Sequence, residues 1–326
     1  MPGYFVISLD FEMIWGMIEK SQNELIKKRV QNVEIVIPKI LEVFKTHDIH
    51  ATWGVVGILM LNDFEELKSL VDKIDFKYEK KELRISNYLS TFSDSEFDSN
   101  IHFKYDLIKN IKETPYQEIA SHSFSHFYGN ELGQTISDFE SDILLFNKVA
   151  LNKLNLKPVT YIHPRFQNNK DYNRILTANG YKIIRGLRED KLKNSSYKDK
   201  TRIKIKYYDR YLNLLGHRSY SLNDVVSKKQ NDLYDIKESY YLRPYNARTR
   251  IFEFFKLKRI KNEMTYAAKN NKIFHLWWHP HDFGIDIEKN LTILDKIARH
   301  YVKLNKRFNY LSKNMVDLLD IILSKE

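Results

Sequence analysis

The sequence predicts an α/β fold, a sheet of βα units whose strand ends converge on one rim, and three observations carry the prediction. Short apolar runs rich in β-branched and aromatic residues alternate with stretches of helical period. Most of these runs end where polar or ionisable residues begin. The chain has 326 residues, 43% of them hydrophobic and 13% aromatic, which suffices for a large packed core and exceeds what disordered chains carry.

Taken in order, the candidate strands are residues 5–9, 51–56, 118–120, 160–163, 182–184, 202–208 and 273–278. Between the first two, Ile26, Val30, Val33, Ile37, Ile40, Leu41 and Phe44 recur mostly three or four apart, predicting one helix with a single buried face. Asp10 follows the first strand, His122 the third, Arg165 the fourth and His279 the last. In barrels and open parallel sheets those carboxyl ends form one rim, where sites are built. The whole chain, 1–326, reads as one domain with two inserted segments. Residues 72–114 are charged and rich in Ser and Asp, a solvated excursion. Residues 191–272 hold 21 Lys and Arg against 8 Asp and Glu, about +13, which exceeds the +11 of the entire chain.

That charge favours acidic partners: phosphorylated sugars, anionic lipid or nucleic acid. No helix-turn-helix, zinc finger or other nucleic-acid module is readable, so no nucleic-acid partner is expected. Within the basic segment, residues 248–260 read as a basic amphipathic helix whose Ile and Phe residues either face the core or meet a membrane surface, leaving peripheral membrane contact open. Arg248 and Arg250 are its candidate phosphate-binding charges. The start of the chain offers no basic region followed by a long apolar run, and a cytoplasmic location is expected. With no cysteine, thiolate nucleophiles and Cys-ligated metals are excluded, and any metal must sit on His, Asp or Glu.

The sharpest local signal is Ser121-His122-Ser123-Phe124-Ser125-His126. Two imidazoles four apart lie on one face of a helical turn and can hold one metal, provided a third ligand joins them from elsewhere. Asp10-Phe11-Glu12 offers two carboxylates, one to ligate and one to stay free as a base. At the far end, His279-Pro280-His281-Asp282 follows an apolar strand, and a histidine there can act as a general acid. His275, inside that strand, reads as a core histidine. His163-Pro164-Arg165 places an arginine on the rim, where it can lower the pKa of a carboxylate.

These four pieces in this order resemble the polysaccharide deacetylase family, the NodB-homology carbohydrate esterases. The resemblance implies a distorted (β/α)7-type barrel and, by position, Asp10 as catalytic base, Glu12, His122 and His126 as metal ligands, Arg165 as the arginine paired with the base, and His279 as the general acid. Ala51-Thr52-Trp53-Gly54-Val55-Val56 is similar to the family's second strand. The sequence departs from the family in placing one residue between Asp10 and Glu12 and in placing proline before Arg165; Asp282 is the candidate for the residue that supports the acid. The implied reaction is metal-dependent removal of an N-acetyl group from an amino sugar of a glycan or glycan precursor in surface polysaccharide biosynthesis. Zn2+ is the default ion, with Co2+, Ni2+ or Mn2+ as substitutes. The alternatives are a catalytically inactive glycan-binding barrel and a basic nucleic-acid-binding protein.

Overall fold

The computed structural model describes residues 2–92, 96–193, 195, 197–227, 229 and 232–324. Its centre is β1 (Tyr4–Phe11), in which all eight residues are buried. A strand covered on both faces is a near-continuous apolar run rather than an alternating one, and YFVISLDF is such a run. Around it, β2 (Ala51–Val55), β3 (Gln117–Ser121), β4 (Thr160–Ile162), β5 (Ile183–Arg185), β6 (Tyr234–Asp235), β7 (Tyr240–Tyr241) and β8 (Ile273–Trp278) form one sheet in the order β6-β5-β4-β3-β2-β1-β8-β7, and β9 (Leu311–Ser312) pairs with β1. Every ladder between these strands is parallel.

Residues 236–239 bring the two ends of the sheet together. Ile236 and Glu238 donate backbone N–H groups to the carbonyls of Ile184 and Gly186 on one side, and Ser239 donates to His275 on the other. The sheet thus curls into a distorted (β/α)7-type barrel, with helices outside and the carboxyl ends of the strands at one mouth.

Four expectations change. Residues 72–114, expected as a solvated excursion, bury Leu83, Ile85, Tyr88, Ile101, Ile108 and Ile111 against the core, because helix Tyr105–Glu113 packs on β3. Residues 202–208 lie in the helix Asp199–Leu212; RIKIKYY alternates like a strand, but helix Arg250–Lys269 packs against it, and tertiary packing overrides a short alternating pattern. The single helix expected over residues 26–44 is two, Glu24–Gln31 and Val33–Thr46, meeting at Asn32, whose side chain donates to the carbonyl of Gly284 at 2.7 Å. The stretch 191–272 is not merely inserted, because it supplies β6 and β7. Those strands are two residues long, too short to show a period.

The basic helix runs Arg250–Lys269. Its inner face is carried by Ile260, Met264, Ala267 and Ala268, all buried, whereas Ile251 and Phe254 are 76% and 66% exposed. With Phe255 and Lys258 they form an i, i+3, i+4, i+7 stripe opposite the buried face. Among the described residues no helix is long and apolar enough to cross a membrane.

Candidate active site

Strand β1 delivers Asp10 and Glu12 to the barrel mouth, Asp10 within the strand and Glu12 one residue past its end. Both are buried, at 3% and 6% exposure. The burial would hold their carboxyl groups protonated were it not for neighbouring cations. For Asp10, burial pushes the pKa up, but Arg185, His122 and His279 together bring it below the usual carboxylate value. For Glu12, burial acts upward too and is outweighed by His279, His126 and His122, leaving the group well below its ordinary value.

The arginine paired with Asp10 is Arg185, not Arg165. Arg185 Nη1 and Nη2 donate to Asp10 Oδ1 and Oδ2 at 2.5 and 2.7 Å, a bidentate fork. Its guanidinium lies 4.7 Å from the ring centroids of both Phe166 and Trp277, which clamp it. Ser8 Oγ accepts a further N–H from Arg185 at 3.1 Å and lies 2.8 Å from His275 Nε2. Burial lowers the His275 pKa to about 3, so the ring is neutral. Its Nδ1–H donates to the carbonyl of Lys237 at 3.2 Å, leaving Nε2 to accept from the serine hydroxyl. His275, expected as a core histidine, therefore orients Ser8 and through it the arginine.

Arg165 reaches the same cleft by another route. It and Phe166 both adopt left-handed φ, 51° and 55°, a turn that aims Arg165 at Glu19 Oε1 (2.6 Å) and the carbonyl of Gly16 (3.2 Å), over the Tyr128 ring. The same turn lays the Phe166 ring on Arg185. The missed signal was positional: Arg185 is the residue immediately after the expected strand 182–184, hence a rim residue by the rule applied to the other strands.

His122 and His126 come together, though not on a helix. His122 leaves β3, and Ser123 and His126 take left-handed φ of 61° and 60°. The loop is held by Asp142, on helix Ile136–Leu154, which accepts the backbone N–H groups of Phe124 (2.6 Å) and Ser125 (2.9 Å) and the Ser125 hydroxyl (2.5 Å). Burial raises the Asp142 pKa to about 6 despite these donors. An acid on the apolar face of a helix, between Phe139 and Phe146, was its signature in the sequence.

Glu12 Oε2 lies 3.0 Å from His126 Nε2 and 3.4 Å from His122 Nε2. His122 Nδ1 donates to the carbonyl of Ile162 at 2.8 Å, which fixes the ring with Nε2 facing the Glu12 carboxylate. Either a proton or a metal ion can bridge these atoms, and one carboxylate with two imidazoles is a suitable donor set for a metal. Gly16 makes room for it: a Cβ there would stand 2.2 Å from the Glu12 carboxyl carbon.

His279 closes the other side. Its Nδ1 lies 3.1 Å from Asp282 Oδ2, which also accepts the Tyr241 hydroxyl at 2.5 Å. Its Nε2 points between Glu12 Oε1 (3.6 Å) and Asp10 Oδ2 (4.0 Å). Burial lowers its pKa, but Glu12, Asp282 and Asp10 more than reverse this and lift it to about 10. Asp10, Glu12, His279 and Arg165 all line one cleft of about 420 Å³. It thus holds an ionised carboxylate, a cation-ready triad and a protonated imidazole within a few ångströms.

No protein-family model matches the sequence, and no curated protein matches it in a sequence search. Solved structures do match by fold. A protein from Mycobacterium smegmatis assigned as a polysaccharide deacetylase aligns over 99% of this chain and 90% of its own at a TM-score of 0.62, with 10% identity. A GH57-type branching enzyme from Pyrococcus horikoshii aligns over 98% and 70% at 0.53, with 12% identity. The chitin deacetylase of the fungal pathogen Colletotrichum lindemuthianum aligns over 98% and 88% at 0.47, with 12% identity. A barrel can host different reactions, so the side chains at its mouth, not the barrel, must argue the chemistry. Parallel topology, curled sheet and the likeness to the Mycobacterium smegmatis structure together show that the chain has the polysaccharide-deacetylase fold, a distorted (β/α)7-type barrel.

Proposed function

We propose that the protein is a metal-dependent N-deacetylase acting on an amino sugar of a glycan or glycan precursor in surface polysaccharide biosynthesis. The observation that carries the reading is the convergence in one cleft of a Glu12–His122–His126 triad, an Asp10 ionised by Arg185, and a His279 held protonated by its acidic neighbours. A divalent ion held by the triad, Zn2+ or in its place Co2+, Ni2+ or Mn2+, supplies Lewis-acid polarisation of the acetyl carbonyl and acidifies water.

The remaining steps belong to the chain. Asp10 Oδ2, whose lone pairs are not all consumed by Arg185, takes a proton from the attacking water as its oxygen bonds to the acetyl carbon. When the C–N bond breaks, the leaving nitrogen must gain a proton, because an amide anion is too basic to depart. His279 Nε2–H faces the cleft to give it, while Asp282 keeps the ring oriented through Nδ1. The products are acetate and a free amino sugar. Acetate release from a panel of N-acetylated nucleotide sugars and oligosaccharides, before and after chelation, tests the reading. Metal-dependent release from one member is expected. No release from any member with metal restored would favour the inactive glycan-binding alternative.

Peripheral contact with an anionic membrane is part of the proposal, supported by the exposed Ile251, Phe254 and Phe255 beside Arg248, Arg250 and Lys258. Interfacial binding needs this pairing of apolar stripe and basic flank. Co-sedimentation with phosphatidylcholine vesicles is expected only when phosphatidylglycerol is included. Phe254→Ser with Phe255→Ser should weaken it by roughly tenfold or more, since burying each ring is worth about 1.5–3 kcal/mol. Equal sedimentation of the variant would sink the idea.

A further inference from the structure

A second cleft, of about 300 Å³, adjoins the catalytic one, and Tyr241 and Trp277 line both. Six cations stand on its walls against three acids. Most of that charge is spoken for. Arg188 pairs with Glu238 at 3.1 Å, Arg218 pairs with Asp209, Lys206 pairs with Asp190 at 2.6 Å, and Lys191 donates to the carbonyls of Leu215 and His217. Arg210 and Arg243 are left with no carboxylate partner among the described residues.

What they have instead is ring faces and each other. Arg210 lies 5.3 Å from the Tyr207 ring centroid, and Arg243 lies 5.3 Å from that of Tyr241. Two half-buried guanidinium groups sharing a wall repel, and the Arg210 pKa is lowered by its burial and by the charge of Arg243. A fold that pairs three neighbouring cations with carboxylates, ties a fourth to backbone carbonyls and leaves two guanidinium groups on one wall has left the place of an anion open.

We propose that Arg210 and Arg243 form a subsite for a phosphate or diphosphate group carried by the sugar substrate, on the wall that continues from the catalytic cleft. The substrate part of this inference rests on the deacetylase reading; the anion site does not. Arg rather than Lys suits the task, because its planar fork meets two phosphate oxygens at once. The reach is suitable. The Tyr241 ring is 6.0 Å from the His279 ring and 5.3 Å from the Arg243 guanidinium, so the arginine is no farther from the acid than these two distances end to end. A sugar carrying a diphosphate can cover a separation within that limit. Tyr241 and Trp277 between the two clefts offer aromatic faces along the way, their ring centroids 4.7 Å apart. Arg248 and Arg250, the charges expected from sequence to hold phosphate, are mostly exposed and line neither cleft.

The test is calorimetric titration of inorganic pyrophosphate into the full-length, metal-loaded chain, where binding needs no turnover. Arg210→Gln with Arg243→Gln should raise Kd by about tenfold per guanidinium, which is about 1.4 kcal/mol each. Arg248→Gln with Arg250→Gln should leave it unchanged. His122→Ala with His126→Ala, unable to hold metal, should still bind. Arg210→Lys with Arg243→Lys keeps the charge, guards against misfolding, and should fall between wild type and the Gln pair. Displacement by uridine diphosphate or by a short-chain prenyl diphosphate then tells a nucleotide carrier from a lipid carrier. Binding that survives in the Gln pair, or that disappears only with the histidines, overturns the subsite. Absence of acetate release from the unaltered protein, with its pyrophosphate binding intact, would instead count against the deacetylase reading alone.

Discussion

Asp10→Asn is expected to lower kcat by about 10²–10⁴-fold, the usual contribution of a positioned base, while leaving metal content unchanged. The two losses separate because Asp10 faces Arg185 and Glu12 faces the histidines. The substitution has a second cost. Arg185 and Asp10 side chains are 1% and 5% exposed, and removing one partner of a buried pair leaves an uncompensated charge, typically about 3–5 kcal/mol. Asn keeps one carbonyl acceptor for the fork, which places the expected loss at the lower end. Denaturant unfolding beside steady-state kinetics reads both effects. Arg185→Gln should reproduce much of the kinetic loss, and Arg165→Gln, whose partner is Glu19, should reproduce little of it. The opposite ranking would restore Arg165 as the partner of the base.

The pH profile belongs to the same prediction. Asp10, with its pKa below the usual value, stays ionised well into acid. The stability that its depressed pKa contributes is present above the unfolded pKa and is lost as pH falls through the folded one. His279, lifted to about 10, is protonated across neutrality. Its contribution is complete below the unfolded pKa of about 6.5 and fades as pH rises toward about 10. Activity should therefore fall on the alkaline side as His279 loses its proton. Since Glu12 is the largest upward influence on His279, a cation on Glu12 should shift that limb to lower pH. An alkaline limb unchanged in His279→Gln would remove the acid from the mechanism.

His122→Ala with His126→Ala is expected to abolish stoichiometric metal uptake and bring acetate release to background. Both rings are 1% exposed, and Glu12 alone cannot replace two imidazoles. Elemental analysis after dialysis against zinc provides the count, and circular dichroism checks the fold. Survival of the fold is expected because Asp142, not a metal, holds the loop through the backbone of Phe124 and Ser125. Undiminished zinc in the double variant would dismiss the triad.

The core strands were legible because their cause is local. Residues 5–9, 51–56 and 273–278 are apolar runs long enough to be buried on both faces, and they became β1, β2 and β8. Asp10, Glu12 and His279 stood in the sequence where those runs stop, and His122 where a shorter one does. Strands β6 and β7, each two residues long, had no period to read. The strand-like run 202–208 became a helix because its neighbours, not its alternation, settled the matter.

By itself, then, the sequence determined the alternating α/β order, the strand ends that bear the acids and histidines, and the absence of thiolate chemistry. Which groups touch was decided only by the tertiary structure. Proximity across a barrel depends on how the sheet curls, and no spacing in the chain encodes it. Arg185 lies 175 positions from Asp10, and its pairing follows from β5 and β1 facing one interior. Ser8 and His275 act across similar or greater separations, through hydrogen bonds that exist once the barrel closes. The same closure turned Arg165 toward Glu19 and left Arg210 and Arg243 without a carboxylate partner among the described residues, since two consecutive left-handed residues, a helix and the loop after β7 set directions that residue order leaves free.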